Sequence, residues 1–206
     1  MRKVLLTGFE PFLDNPINPT EEIVQVLHNE SLNGWKIIGE VIPVDFHLAG
    51  KHLVELIHKV QPSAIISLGL AAGRNRITPE RIAINCNDGP KDNQGYKPNG
   101  EKIIDDGPDG YFSTLPIKMM VKELENNGIP AKISNTAGAY LCNHVMYRAL
   151  YEIQQNKLNI PSGFIHIPAS HKLALTSNVP SFAQTDLQRA IEICIGCLDD
   201  ENSSNY

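Results

Sequence analysis

The chain alternates short unbroken apolar runs with longer stretches whose apolar residues recur every three or four positions. Unbroken runs of this length predict buried strands, and the wider spacing predicts amphipathic helices. Residues 3–7 read as a buried strand that stops at Gly8. Asn18-Pro19-Thr20-Glu21 then reads as a helix start. Asn18 is the cap, Pro19 fits the first helical position, and Glu21 falls where a capping-box carboxylate reaches back. Ile23, Val26 and Leu27 continue that face. Residues 36–44 predict a second strand. Asp45 caps a helix whose apolar face includes Ala49, Leu53, Leu56, Ile57 and Val60. Further strands are predicted at residues 64–68, 82–86, 131–134 and 163–167. Helices are predicted from Pro116 to Gly128, from about Cys142 through Ile153, and from Thr185 or Asp186 toward the end.

Strands interleaved with helices predict an α/β fold: a mixed, mostly parallel twisted sheet with helices on both faces. The 206 residues fit one domain spanning 1–206, with a polar tail from about residue 199. One stretch departs from the alternation. Residues 87–110 are dense in Gly, Pro, Asn and Asp, and a loop that long inside a compact domain is often functional.

Composition narrows the function classes. A hydrophobic fraction of 42% supplies a core, and the net charge is −5. With no basic stripe and no aromatic-basic interleaving, nucleic-acid binding is not expected. No apolar run approaches the ~20 residues of a membrane span. Near the N-terminus the apolar stretch is only Val4 to Leu6, short of the roughly 7–15 residues of a signal-peptide core, so the expected location is cytoplasmic. The four cysteines, Cys86, Cys142, Cys194 and Cys197, are then expected to be reduced. Cys194 and Cys197 form a C-x-x-C, but they lie late in an amphipathic helix with no second ligand pair, which favours core packing over metal or redox chemistry.

Cys142 is the candidate nucleophile. It follows a turn of small residues at a predicted helix start, where unpaired N–H groups favour a thiolate; such sites lower a thiol pKa from about 8.5 to roughly 3.5–7.5. A thiol nucleophile needs a base. His144 is nearest in sequence, but residues two apart on a helix point away from each other. His166 closes the run Gly163-Phe164-Ile165-His166-Ile167-Pro168, at the carboxyl edge of a strand where ligand sites of α/β sheets lie. The base in turn needs an acidic orienter. On position alone Glu80, Asp14, Asp45, Asp88 and Asp92 stand level. His28, His47, His52 and His58 fall on the two predicted N-terminal helices, as solvated or structural residues. A metal site from Cys142, His144, His166 and His171 is an alternative, although it lacks the spacing of an H-E-x-x-H site. Phe9 and Phe12 follow the first strand and suggest an apolar pocket wall. There is no phosphate loop and no G-x-S-x-G elbow.

Four segments together resemble the pyrrolidone-carboxylate peptidases, the pyroglutamyl peptidase I family of cysteine peptidases. They are Thr7-Gly8-Phe9-Glu10-Pro11-Phe12, residues 69–74 with 77–85, residues 135–144, and residues 163–168. The order and spacing agree over nearly the whole chain. The resemblance implies hydrolytic removal of an N-terminal pyroglutamyl residue from peptides through a thioester. It implies a triad of Cys142, His166 and Glu80, and a ring pocket of Phe9, Phe12, Leu70, Tyr140 and Leu141. It further implies no cofactor, no metal, a cytoplasmic location and a homo-oligomer, usually a tetramer. Three departures stand out. Leu70 replaces a common Gln, Tyr140 replaces a common Phe, and Gly89-Pro90-Lys91 replaces an arginine-containing segment. The last keeps open a homologue that binds pyroglutamyl ligands without turnover; a metal-dependent amidohydrolase is the other alternative.

Overall fold

A computed structural model describes residues 1–13 and 15–199. In chain order the elements are β1 (Arg2–Phe9), α1 (Pro19–Leu27), β2 (Ser31–Leu32), β3 (Trp35–Ile42), α2 (Ala49–Val60), β4 (Ala64–Leu70), β5 (Thr78–Pro79), β6 (Ile82–Ile84), β7 (Asn87–Asp88), β8 (Asn99–Glu101), β9 (Gly110–Phe112), α3 (Ile117–Asn126), α4 (Leu141–Gln155), β10 (Ser162–Ile167), β11 (Ala169–Ser170), α5 (His171–Ala174), β12 (Ser181–Phe182) and α6 (Gln184–Gly196). The main sheet runs β2-β3-β1-β4-β10-β5. Its four inner strands β3, β1, β4 and β10 are parallel, and the short edge strands β2 and β5 are antiparallel to their neighbours.

Both faces of the sheet are covered, which is why its central strands are apolar without interruption. Val4 and Leu6 of β1, Ile66 and Leu68 of β4 and Ile165 and Ile167 of β10 face α1, α3 and α6. Leu5 and Phe9 of β1, Ile65 of β4 and Phe164 of β10 face α2 and α4. Each such buried side chain contributes roughly 1.5–3 kcal/mol. Gly39 of β3 permits the close seating of α1: a Cβ there would lie 2.3 Å from the Val24 carbonyl oxygen.

Several local expectations change. Asn18 caps α1 by accepting from the Thr20 N–H, but Glu21 accepts from the Gln25 amide one turn on and does not reach back. Phe9 is the last residue of β1, not a loop residue. Asp45 caps the turn that leads into α2, accepting from the N–H groups of His47 and Leu48. Residues 131–134 run parallel to residues 77–81, with bridges Ile77↔Ala131 and Glu80↔Ser134. Pro79 has no N–H to donate, so the ladder breaks into two separate bridges instead of a strand. The run 82–86 pairs only over Ile82–Ile84, with β9 and outside the main sheet.

The stretch 87–110 carries β7 and β8, and buried side chains stand in for the missing ladder. Asn85 accepts from the N–H groups of Ile103 and Ile104 and donates to the carbonyls of Ile104 and Gly107. Asp92 accepts from the N–H groups of Phe46, Gln94 and Tyr96. At the start of the expected polar tail, Asp199 accepts from the Trp35 indole at 3.0 Å and pairs with Arg2 at 2.6 Å. The tail beyond Asp199 lies outside the described residues, as does Asp14. Replacing Gly39 by Ala forces α1 off the sheet, and urea unfolding is expected to show a loss of about 1–3 kcal/mol.

Candidate active site

Strand periodicity places the site. Side chains alternate faces along a strand, so Phe164 and His166 of β10 point toward the layer that holds α4. His166 pairs in register with Gly69 of β4 at the carboxyl edge of the sheet. Cys142 is the second residue of α4, the helix packed over that edge. A Cβ on Gly69 would lie 2.9 Å from Cys142 Sγ and 2.7 Å from the Phe164 ring. The sheet therefore makes room for the thiol by lacking a side chain at that one position.

Asn143 fixes the start of α4. Its buried amide accepts from the Ile84 N–H and donates to the carbonyls of Ile84 and Cys86, at 2.8, 2.9 and 3.0 Å. The N-cap, Tyr140, is extended and makes no side-chain capping bond. The N–H groups of Leu141, Cys142 and Asn143 are thus free of intrahelical acceptors, a donor cluster suited to a negative oxygen.

Glu80 is fully buried, and its Oε1 accepts from His166 Nδ1 and from Arg74 Nη1, both at 2.7 Å. Its second oxygen, Oε2, is buried without a hydrogen bond in this geometry. Burial pushes the carboxyl up. The hydrogen bond and charge of His166, with smaller contributions from Ser134 and Arg74, outweigh that and hold it below its ordinary value. Glu80 is therefore a carboxylate, which can only accept. Nδ1 of His166 must carry the proton, and Nε2 is left with its lone pair as a base. Burial depresses the imidazole pKa. Glu80 opposes that, Arg74 adds to it, and His166 stays below 6.5 and neutral at pH 7.

The thiol does not follow the helix-terminus expectation. Cys142 is partly accessible, yet burial by surrounding atoms and the Glu80 charge push it up to about 12. Arg74 and the residue's own N–H pull it down without compensating. The unscreened desolvation of the thiolate wins over the partial charge of a helix end. The resting pair is thus a neutral thiol and a neutral imidazole. Among the described residues no hydrogen bond joins the two.

Beside Cys142 lies an apolar pocket lined by Phe9, Phe12, Val44, Leu70, Tyr140 and Leu141. All five residues expected for a ring pocket meet there, together with Val44, which carried no sequence signal beyond strand hydrophobicity. Tyr140 stacks edge-on against Phe46, and its hydroxyl donates to the Lys91 carbonyl. Asn93 donates to the carbonyl of Val44 and, through its amide, to Glu10 and Pro11. The stretch 87–96 thereby straps the pocket rim. Lys91 itself is exposed and enters through its backbone.

The other candidates go elsewhere. His144 is buried, bonded to Asn87 at 2.9 Å, and driven down to about 4 by burial and then by Arg148. His28 bonds the Gly39 backbone, His58 bonds Glu152, and His171 bonds Ser181. His47 lies in the turn before α2, its ring 4.7 Å from Tyr96. Asp88 accepts from the Gly89 N–H, and Asp45 and Asp92 serve backbone turns. Cys194 and Cys197 are buried in the core, and the Cys197 thiol donates to the Ile193 carbonyl at 3.3 Å. Among the described residues no cluster of three His, Cys, Asp or Glu side chains is arranged to hold a metal ion.

The family model described as pyroglutamyl peptidase matches residues 2–200. The chain belongs to the pyroglutamyl peptidase family. It is 86% identical over 199 residues to the pyrrolidone-carboxylate peptidase of Oceanobacillus iheyensis, covering 97% of this chain and all of that one. It is 47% identical to the enzyme of that name from Halalkalibacterium halodurans, over 93% of this chain and 96% of the relative. The crystal structure of Bacillus amyloliquefaciens pyroglutamyl peptidase I superposes with a TM-score of 0.93 at 40% identity, over 96% of this chain and 97% of that one. The Thermococcus litoralis pyrrolidone carboxyl peptidase gives 0.93 at 39% identity, over 97% and 94%. The protein is therefore a peptidase of this family. Replacing Gly69 by Ala drives a methyl into Sγ and the Phe164 ring. The expected outcome is a fall of about a hundredfold in kcat/KM on a pyroglutamyl amide, since small misplacements of reacting groups carry costs of that order.

Proposed function

We propose that this protein removes an N-terminal pyroglutamyl residue from peptides, with Cys142 as nucleophile, His166 as general base and acid, and Glu80 as the group that orients it. The observation that carries the reading is the adjoining of three features: a thiol at an uncapped helix start, an imidazole whose Nδ1 is held by a buried carboxylate, and an all-apolar pocket beside the thiol. A neutral lactam ring suits that pocket. A charged N-terminal ammonium would lose its hydration there without a partner.

The chemistry follows from the protonation states. His166 Nε2 takes the thiol proton as Sγ bonds to the pyroglutamyl carbonyl carbon, and the carbonyl oxygen becomes an oxyanion. The free N–H groups at the start of α4 stabilise that oxygen, an effect of about 3–4 kcal/mol per donor in comparable sites. The tetrahedral species collapses, the C–N bond breaks, and His166 gives its proton to the leaving amine. Water, deprotonated by His166, then attacks the thioester, releasing pyroglutamate and restoring the thiol. Glu80 keeps the proton on Nδ1 and supports the transient imidazolium.

The remaining parts of the reading rest on resemblance. We place the protein in the cytoplasm as a homo-oligomer, a tetramer by analogy with the family. Among the described residues no helix is long and apolar enough to cross a membrane. The substrates are peptides, and no cofactor takes part.

Purified protein is expected to hydrolyse a pyroglutamyl amide, and Cys142→Ala to lose about a thousandfold or more. Full activity in that variant, or after verified alkylation of Cys142, would overturn the nucleophile assignment. Glu80→Gln is expected to lower kcat by about a hundredfold, because the tautomer is no longer imposed; a change below about threefold would demote it. The pH profile carries a sign. Burial disfavours the imidazolium, so His166 takes up its proton only below 6.5. The acid limb of kcat/KM is therefore expected below that pH, with activity maintained above it. Binding of a pyroglutamyl ligand without turnover would favour the inactive-homologue alternative.

A further inference from the structure

Arg74 has no place in the three-residue triad, yet it bonds one member directly and reaches a second through Thr78. It stands in the turn after β4, and its side chain is 30% exposed. Nη1 donates to Glu80 Oε1, the same oxygen that accepts from His166. The same nitrogen donates to the Thr78 hydroxyl, which in turn donates to the backbone carbonyl of His166 at 3.3 Å. Thr78 is buried and pairs with His166 across β5 and β10. One guanidinium thus braces the carboxylate that orients the imidazole and the strand that carries it.

The charge matters as much as the bracing. A buried carboxylate facing an imidazole alone favours the imidazolium, and an imidazolium has no lone pair to serve as base. A permanent cation on the same oxygen offsets that pull, and Arg is ionised at every pH of interest. The titratable or charged groups acting on His166 are Glu80 from the segment after β5 and Arg74 from the turn after β4, and Cys142 of α4 feels the same two charges. Arg74 is the fixed positive charge among them.

We propose that Arg74 is a positioning residue of the triad, which fixes the Glu80–His166 pair and keeps the imidazole unprotonated in the resting enzyme. The proposal rests on the peptidase reading above for its activity readout, and on the geometry alone for its titration.

The experiment compares the pH profile of kcat/KM on a pyroglutamyl amide for wild type, Arg74→Gln and Arg74→Lys, with folding checked by circular dichroism. With glutamine the acid limb moves to higher pH, and kcat/KM falls about tenfold at pH 6 but recovers most of that at high pH, as expected for loss of one charged partner. With lysine, which keeps the cation, the limb returns toward wild type. Titration of the His166 imidazole by nitrogen-15 NMR follows the same order in each protein, whether or not it turns over. An acid limb and an imidazole titration unchanged in Arg74→Gln overturn the proposal, as does an equal loss at all pH values that lysine does not relieve. Arg74→Met replaces the glutamine variant if that one does not fold. Absence of turnover in wild type with the imidazole shift intact would count against the peptidase reading and leave the role of Arg74 supported.

Discussion

The site is organised around one buried carboxylate. A charge as deeply enclosed as that of Glu80 costs several kcal/mol unless it is paired and hydrogen-bonded. The surrounding chain is arranged to pair it. The Glu80 N–H donates to the Phe164 carbonyl, and the neighbouring Arg81 N–H donates to the Ser134 carbonyl. The carboxylate is therefore held between β10 and the extended segment 131–134. From there Oε1 meets His166 and Arg74 together. The bond to Nδ1 decides the tautomer, and the tautomer decides which nitrogen is the base.

The second determinant is the parity of parallel strands. Thr7 and Phe9 of β1, Ser67 and Gly69 of β4, and Phe164 and His166 of β10 belong to the sheet face under α4. At the carboxyl edge this row supplies a pocket wall, an open space and a base. A helix start laid over the space brings a thiol and free N–H groups to the same spot. The pocket is apolar because it is the outer end of the α2–α4 core; Phe9 packs toward Phe164, whose ring lies 4.9 Å from that of His166. Substrate recognition and the packing of one sheet face are thus the same set of contacts. The energetic consequence is a nucleophile that is desolvated and protonated at rest, so ionisation accompanies attack.

Much of this was legible in the chain itself. Unbroken apolar runs located β1, β4 and β10, and the asparagine-proline start located α1, because those signals are local. Helix geometry was enough to set His144 aside, and its burial against Asn87 agrees. The acidic partner was not legible from position: Glu80, Asp45, Asp88 and Asp92 looked alike, since burial depends on distant segments. Resemblance to the family singled out Glu80. Val44 carried no signal beyond hydrophobicity, and Arg74, although inside the family-like segment 69–74, carried no sign of a place beside Glu80. The direction of the Cys142 shift is not legible in sequence, because a helix terminus is visible there whereas the atoms that desolvate a thiol are not. Pro79 was visible, but its breaking of the 131–134 ladder required knowing which segments are neighbours.

If Cys142 is the nucleophile, the pyroglutamyl group passes through a covalent bond to its sulfur. The most direct test uses a pyroglutamyl ester with an activated leaving group, so that acylation outpaces hydrolysis of the thioester. The reaction is quenched in acid during the first turnover, and the protein is digested and mapped by mass spectrometry. The expected result is one pyroglutamyl acyl group, carried on Cys142 and lost on standing at neutral pH before the quench. Turnover of the ester with the acyl group on another residue, or with none on the protein at any time during the first turnover, would contradict it.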